Sequence, residues 1–175
     1  MTKNNLLSLL AGGDRRSIGR ANQVAAAVLQ SPATFPELIK GLWSDDPLVR
    51  MRTADAVEKI SRQKPELLRP YKKELLGLMQ EAQEKELMWH LALIAARLPL
   101  NASERAIAGA ALKNYLEDRS SIVRTFALQG LADLAANDPA IRVEVVEMLH
   151  QAVRAGTAAM KARSCKLLAR LRSAN

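Results

Sequence analysis

Small and apolar residues recur along this chain at i, i+4, i+8 and i+11, in bursts separated by polar and turn-forming positions. In "DPLVRMRTADAVEKI" (46–60) the stripe is Val49, Thr53, Val57 and Ile60. In "SSIVRTFALQGLADL" (120–134) it is Val123, Ala127, Leu131 and Leu134, 74 positions further on. That spacing lines one face of an α-helix. "LMWHLALIAARL" (87–98) repeats it with Leu87, Leu91, Ala95 and Leu98, and "MKARSCKLLARL" (160–171) with Met160, Ser164, Leu168 and Leu171. A weaker copy, "SIGRANQVAAAV" (17–28), has Ala21, Ala25 and Val28. The last apolar positions fall at Val28, Ile60, Leu98, Leu134 and Leu171, in steps of 32, 38, 36 and 37. A recurrence of that length predicts a stacked array of helical units.

Between the copies lie four further helical stretches, 34–43, 65–79, 103–116 and 139–153. Their boundaries are marked. Asp46-Pro47 and Asp138-Pro139 supply an N-cap with proline at the first helical position. Thr34 with Glu37 and Asn101 with Glu104 have capping-box spacing. Gly156-Thr157 ends one helix and caps the next. No single helix of this kind buries its stripe alone, so pairing within a unit and stacking between units are required.

Asp46-Pro47 followed by Val49-Arg50, and Val123-Arg124 in the later copy, resemble the first helix of HEAT repeats. There an Asp, often a Pro, and Val-Arg precede small and apolar residues. The resemblance spans roughly residues 14–172; it departs at Ser17-Ile18, Leu87-Met88 and Met160-Lys161, where Val-Arg is expected. It implies an all-α superhelix, an α-solenoid with a binding surface, and names no ligand. On that frame 1–175 is a single HEAT-like repeat domain with an N-terminal cap at 4–12, repeats at 14–44, 45–81, 84–117 and 119–155, and a final helix at 157–172. Leu6, Leu7, Leu9 and Leu10 cap the first repeat as a short helix or, alternatively, dock into another chain. Thr53, Ala54, Ala127 and Gly130 let helices approach closely. Arg50, Arg124 and Lys161 share one position in the frame and are expected to reach Asp or carbonyl groups of adjacent turns.

Composition agrees with helices: the chain is rich in Ala, Leu, Arg, Glu and Lys, and only 3% of residues are aromatic. A formal charge of +8 permits an acidic protein, nucleic acid or anionic lipid as partner without choosing among them. One cysteine, Cys165, forms no internal disulfide, which favours a reducing compartment. The apolar run after Lys3 is short for a signal peptide and is interrupted by Ser8, and no stretch is long enough for a membrane span. The expectation is a cytoplasmic protein.

Candidate chemistry is sparse. The two histidines, His90 and His150, cannot supply the His-Glu pairs with which some HEAT-type enzymes hold two irons, and both are read as structural. Cys165 shares its frame position with Ala54, Ala92 and Leu128 and is read as a small buried residue. Gly12-Gly13 reads as a turn before an Asp14 cap, not as a phosphate loop. A DNA glycosylase of HEAT-like architecture would need a carboxylate beside aromatic side chains, whereas Trp43, Trp89, Tyr71 and Tyr115 lie in four different helices. No catalytic, cofactor or metal residue is assigned.

The basic residues remain. Arg163, Lys166 and Arg170 share one face of the last helix, and in the frame they match Arg52, Asp55 and Lys59, then His90, Leu93 and Arg97, then Phe126, Gln129 and Asp133. No carboxylate side chain follows Glu147. A second cluster comprises Arg62, Lys64, Arg69, Lys72 and Lys73. The leading expectation is a non-enzymatic scaffold that binds a protein, an acidic one fitting its charge, through a groove of second helices where Lys40, Arg69, Lys73 and Arg105 supply charge. The alternative is phosphate-backbone binding of nucleic acid, with few aromatic residues to stack on bases.

Overall fold

The computed structural model describes residues 6–14 and 16–173. Among these the protein is all-helical, with nine α-helices and no strand. No helix among them is long and apolar enough to cross a membrane. The chain divides into two compact units, Met1–Pro70 and Tyr71–Asn175.

In the first unit α1 (Ala21–Gln30) packs on α3 (Pro47–Ser61), and the short α2 (Phe35–Ile39) lies between them in sequence, flanked by 3₁₀ turns at Pro32–Thr34 and Lys40–Trp43. The Asp46 carboxylate accepts the Leu48 N–H at 2.8 Å, and Pro47 opens α3 where its missing N–H costs nothing. The stretch 34–43 is thus not one helix. Thr34 forms no side-chain cap; its hydroxyl donates to the Ser31 carbonyl, and Glu37 instead accepts the Leu6 N–H at 3.0 Å. In the expected cap at 4–12, residues 6–10 form turns and residues 4 and 5 lie outside the described residues. Leu10 is fully buried there. Gly12 and Gly13 do lie in a bend, but Asp14 caps no helix: it accepts the Arg16 N–H in a tight turn, and α1 begins only at Ala21.

A 3₁₀ run, Pro65–Tyr71, precedes α4 (Lys72–Glu81) in place of the single helix expected over 65–79. Pro70 has no N–H to donate and disfavours α geometry at the residue before it, so the regular helix starts beyond it. Then come α5 (Lys85–Ala95), α6 (Ala102–Tyr115), α7 (Ser121–Ala136), α8 (Pro139–Ala155) and α9 (Ala158–Ser173). Asn101 and Glu104 form a complete capping box on α6, Asp138 caps α8 through the Ala140 N–H, and Thr157 caps α9 through the Met160 N–H.

In the second unit α5 and α9 both pack on α7, while α6 and α8 also contact α7, and α4 packs on α6. Partner residues rise together along α4 and α6 (Lys72 with Glu104, Met79 with Tyr115) and along α7 and α9 (Gln129 with Arg163, Asp133 with Arg170), so each of these pairs runs parallel. Gly130 fixes the closest approach. A Cβ there would lie 2.5 Å from the Ala92 carbonyl oxygen, so at this point α5 and α7 come together only because α7 has no side chain.

The stripes read from the sequence are the core. Val49, Thr53, Val57 and Ile60, then Leu87, Leu91, Ala95 and Leu98, then Val123, Ala127, Leu131 and Leu134, and finally Met160, Ser164, Leu168 and Leu171 are all buried, as are Ala21, Ala25 and Val28.

Candidate functional site

The eight cations marked in the sequence divide into two groups. Lys72 donates to Glu104 Oε2 at 2.8 Å and to the Pro99 carbonyl at 3.2 Å. Its hydrogen bond, followed by that of the Asn101 N–H, holds the Glu104 carboxyl below the usual carboxylate range. Arg105 donates from Nε to Asp138 Oδ2 at 2.9 Å and from Nη1 to the Leu100 carbonyl at 2.8 Å. Arg163 donates to Gln129 Oε1 at 2.9 Å with its guanidinium 5.6 Å above the Phe126 ring, and Arg170 donates to Asp133 Oδ1 at 2.6 Å. These four hold helices of the second unit together.

The other four, Lys40, Arg69, Lys73 and Lys166, are exposed and make no hydrogen bond or ion pair among the described residues. Lys40 sits in the 3₁₀ turn after α2, Arg69 in the 3₁₀ run before α4, Lys73 in the first turn of α4 and Lys166 midway along α9. From the wider cluster, Arg62 pairs with Glu58 at 2.7 Å and Lys64 donates to the Leu29 carbonyl. The Arg62 guanidinium is held above its usual range, chiefly by that Glu58 bond.

The gap in the positive column at Phe126, Gln129 and Asp133 is where the acceptors lie. Gln129 accepts from Arg163 and donates to Asp133 at 2.8 Å, and Asp133 also accepts from Arg170, so one polar chain joins α7 to α9. Gln129 and Asp133 were not marked as functional. The signal that would have found them is the frame itself, which sets Asp133 and Arg170 at one position in adjacent copies.

Arg50 meets its expectation by donating to the Ser44 carbonyl. Arg124 does not: its Nε is buried without a partner, beside a cavity it lines with Glu117 and Met160. Cys165 is exposed, contrary to the buried role expected of it. Its counterparts Ala54, Ala92 and Leu128 are buried.

Three of the aromatic side chains work internally as well. The Tyr115 hydroxyl donates to the Met79 carbonyl at 2.8 Å, and burial raises its pKa. Trp89 meets Phe126 edge-on with centroids 5.0 Å apart, and lies 4.7 Å from the ring of the buried His90. Among the described residues no group of three or more His, Cys, Asp or Glu side chains could hold a metal ion.

Two more cavities open along α9. One, of about 430 Å³, lies at the C-terminal ends of α5, α7 and α9, beside Arg97, Asp133 and Arg170. The other, of about 340 Å³, lies between the N-terminal halves of α7 and α9, with Ile122, Phe126, Ala159 and Ala162 supplying apolar walls and Arg163 and Lys166 the charge. No protein-family model matches the sequence, and no curated protein is similar to it.

Proposed function

We propose that the chain is a non-enzymatic protein-binding scaffold, an α-solenoid of the HEAT kind, whose partner presents an acidic surface. The observation that carries this reading is that four of the eight marked cations, Lys40, Arg69, Lys73 and Lys166, are exposed with no acceptor among the described residues. With a net charge of +8, they favour encounter with an anionic partner. The solenoid part is supported by the parallel placement of equivalent helices in the second unit and by bonds between residues about one repeat apart. Tyr115 bonds to Met79, 36 positions away, and Arg170 to Asp133, 37 positions away.

The test is affinity capture from native cell extract with the wild-type chain and with the double variant Arg69→Glu, Lys73→Glu. The reading expects one defined protein partner whose retention falls at least about tenfold in the variant while the helical circular-dichroism signal is unchanged. Equal retention by both proteins overturns the assignment of these cations. Binding of unrelated duplexes that collapses between about 50 and 200 mM salt would instead assign them to phosphate contacts.

A further inference from the structure

We infer that the groove between the N-terminal halves of α7 and α9 docks an acidic amphipathic segment of a protein partner, with one large apolar side chain entering the cavity and carboxylates meeting Lys166 and Arg163. This deepens the scaffold reading and rests on it.

Three features define the groove. Ile122 is 51% exposed on α7 at the edge of a cavity of about 340 Å³, near the lower end of the size range of ligand pockets. The apolar wall opposite is made by Ala159 and Ala162, small enough to leave the space open. The Phe126 ring forming the floor is held in place before any partner arrives, by Trp89 at its edge and the Arg163 guanidinium above it.

Charge selects the occupant. Lys166 projects at the rim without an internal acceptor, and no carboxylate lines the cavity. Arg163 uses Nη1 for Gln129 and has further N–H groups to offer. Ile122 is the second residue of α7 and Ala159 the second of α9, so both helices present their N-terminal ends here, and the partial positive charge of each adds to the field. Asp118, just before α7, is turned to the Ser120 N–H. A segment with a Leu, Phe or Met between Asp or Glu residues satisfies both the apolar walls and this field, because the apolar contact supplies affinity and the charges orient it.

The experiment selects short random peptides on the full chain by display at about 150 mM salt, then measures the enriched peptides by fluorescence anisotropy against wild type, Ile122→Asp, Lys166→Glu and the Arg69→Glu, Lys73→Glu double variant. The inference expects enriched peptides with a large apolar residue flanked by acids. Ile122→Asp weakens them at least about tenfold and Lys166→Glu about three- to tenfold, each by more than the double variant does. Both groove positions face solvent, and Lys166→Glu gives an independent reading should Ile122→Asp perturb the fold. Enriched peptides that ignore both groove variants but fail on the double variant overturn the groove and leave the scaffold standing. Enrichment of basic or neutral peptides overturns the charge argument, and no enrichment at all removes both readings. Self-association of the chain that Ile122→Asp abolishes would make a second copy the occupant and overturn the inference.

Discussion

Arg52 gives its guanidinium hydrogen bonds to main-chain carbonyls: Ser17 from Nε at 3.1 Å, Leu10 and Gly12 from Nη1 at 2.7 and 2.6 Å, and Asp14 from Nη2 at 2.9 Å. It is 2% exposed, so it stands in for solvent along a segment that has no regular structure to satisfy its carbonyls. Gly19 belongs to the same arrangement. Its φ is +53°, and a Cβ there would come within 2.9 Å of the guanidinium carbon. Replacing Arg52 with Met keeps much of the volume and leaves those carbonyls without donors. The expected loss is about 3 kcal/mol of unfolding free energy, read from urea denaturation, with residues 10–19 becoming the first site of protease cleavage. An unchanged midpoint would show that water replaces the guanidinium without cost. Glu104 gives a second prediction at this scale. Lys72 and the Asn101 N–H hold its folded pKa below the unfolded value of about 4.3, so its contribution is complete above that value and disappears as the pH falls through the folded pKa. Glu104→Gln is expected to flatten the fall in urea midpoint below about pH 5 relative to wild type; parallel curves would refute the linkage.

At the scale of elements, α7 is the helix to perturb, because α5, α6, α8 and α9 all pack on it. Gly130→Ala forces a methyl group against the Ala92 backbone, which has no flexible end to yield. The two helices must part, at an expected cost of about 1–3 kcal/mol with helical content retained, measured by thermal and chemical unfolding. A neutral result would mean that α5 and α7 slide freely. Helices of this kind were legible because their stripe has a period set by local geometry: α3, α5, α7 and α9 each fall on a predicted copy. The second helices were read less well, since Thr34-to-Glu37 spacing looks like a cap whether or not the backbone curls there. Glu37 bonds instead to Leu6, 31 residues earlier, and no local pattern contains that. Cys165 failed for a related reason. Burial belongs to the neighbour that covers a face, and the α9 sequence alone does not name that neighbour.

Across the molecule, the same argument separates counting charges from knowing their use. The sequence shows the cations, but several of their acceptors lie far along the chain: Lys59 reaches Asn22, Lys113 reaches Glu144, and Arg170 reaches Asp133, at separations of 37, 31 and 37. Reading across copies rather than along one helix recovers such pairs, and it would have removed Arg170 from the candidate surface. It also defines what holds the second unit together. That unit contains its own parallel helix pairs, its own buried stripes and the internal bonds of Lys72, Arg105, Tyr115 and Arg163. A fragment of residues 71–175 is therefore expected to fold alone, because a unit with a complete core and its own caps needs no contacts from elsewhere in the chain. The measurements are its helical circular-dichroism signal and a cooperative thermal transition. Adding Gly130→Ala to the fragment should lower that transition as it does in the full chain, since both partners of the close approach are present. A fragment that is helical but melts without cooperativity would show that its helices are locally stable and that their packing depends on residues before Tyr71.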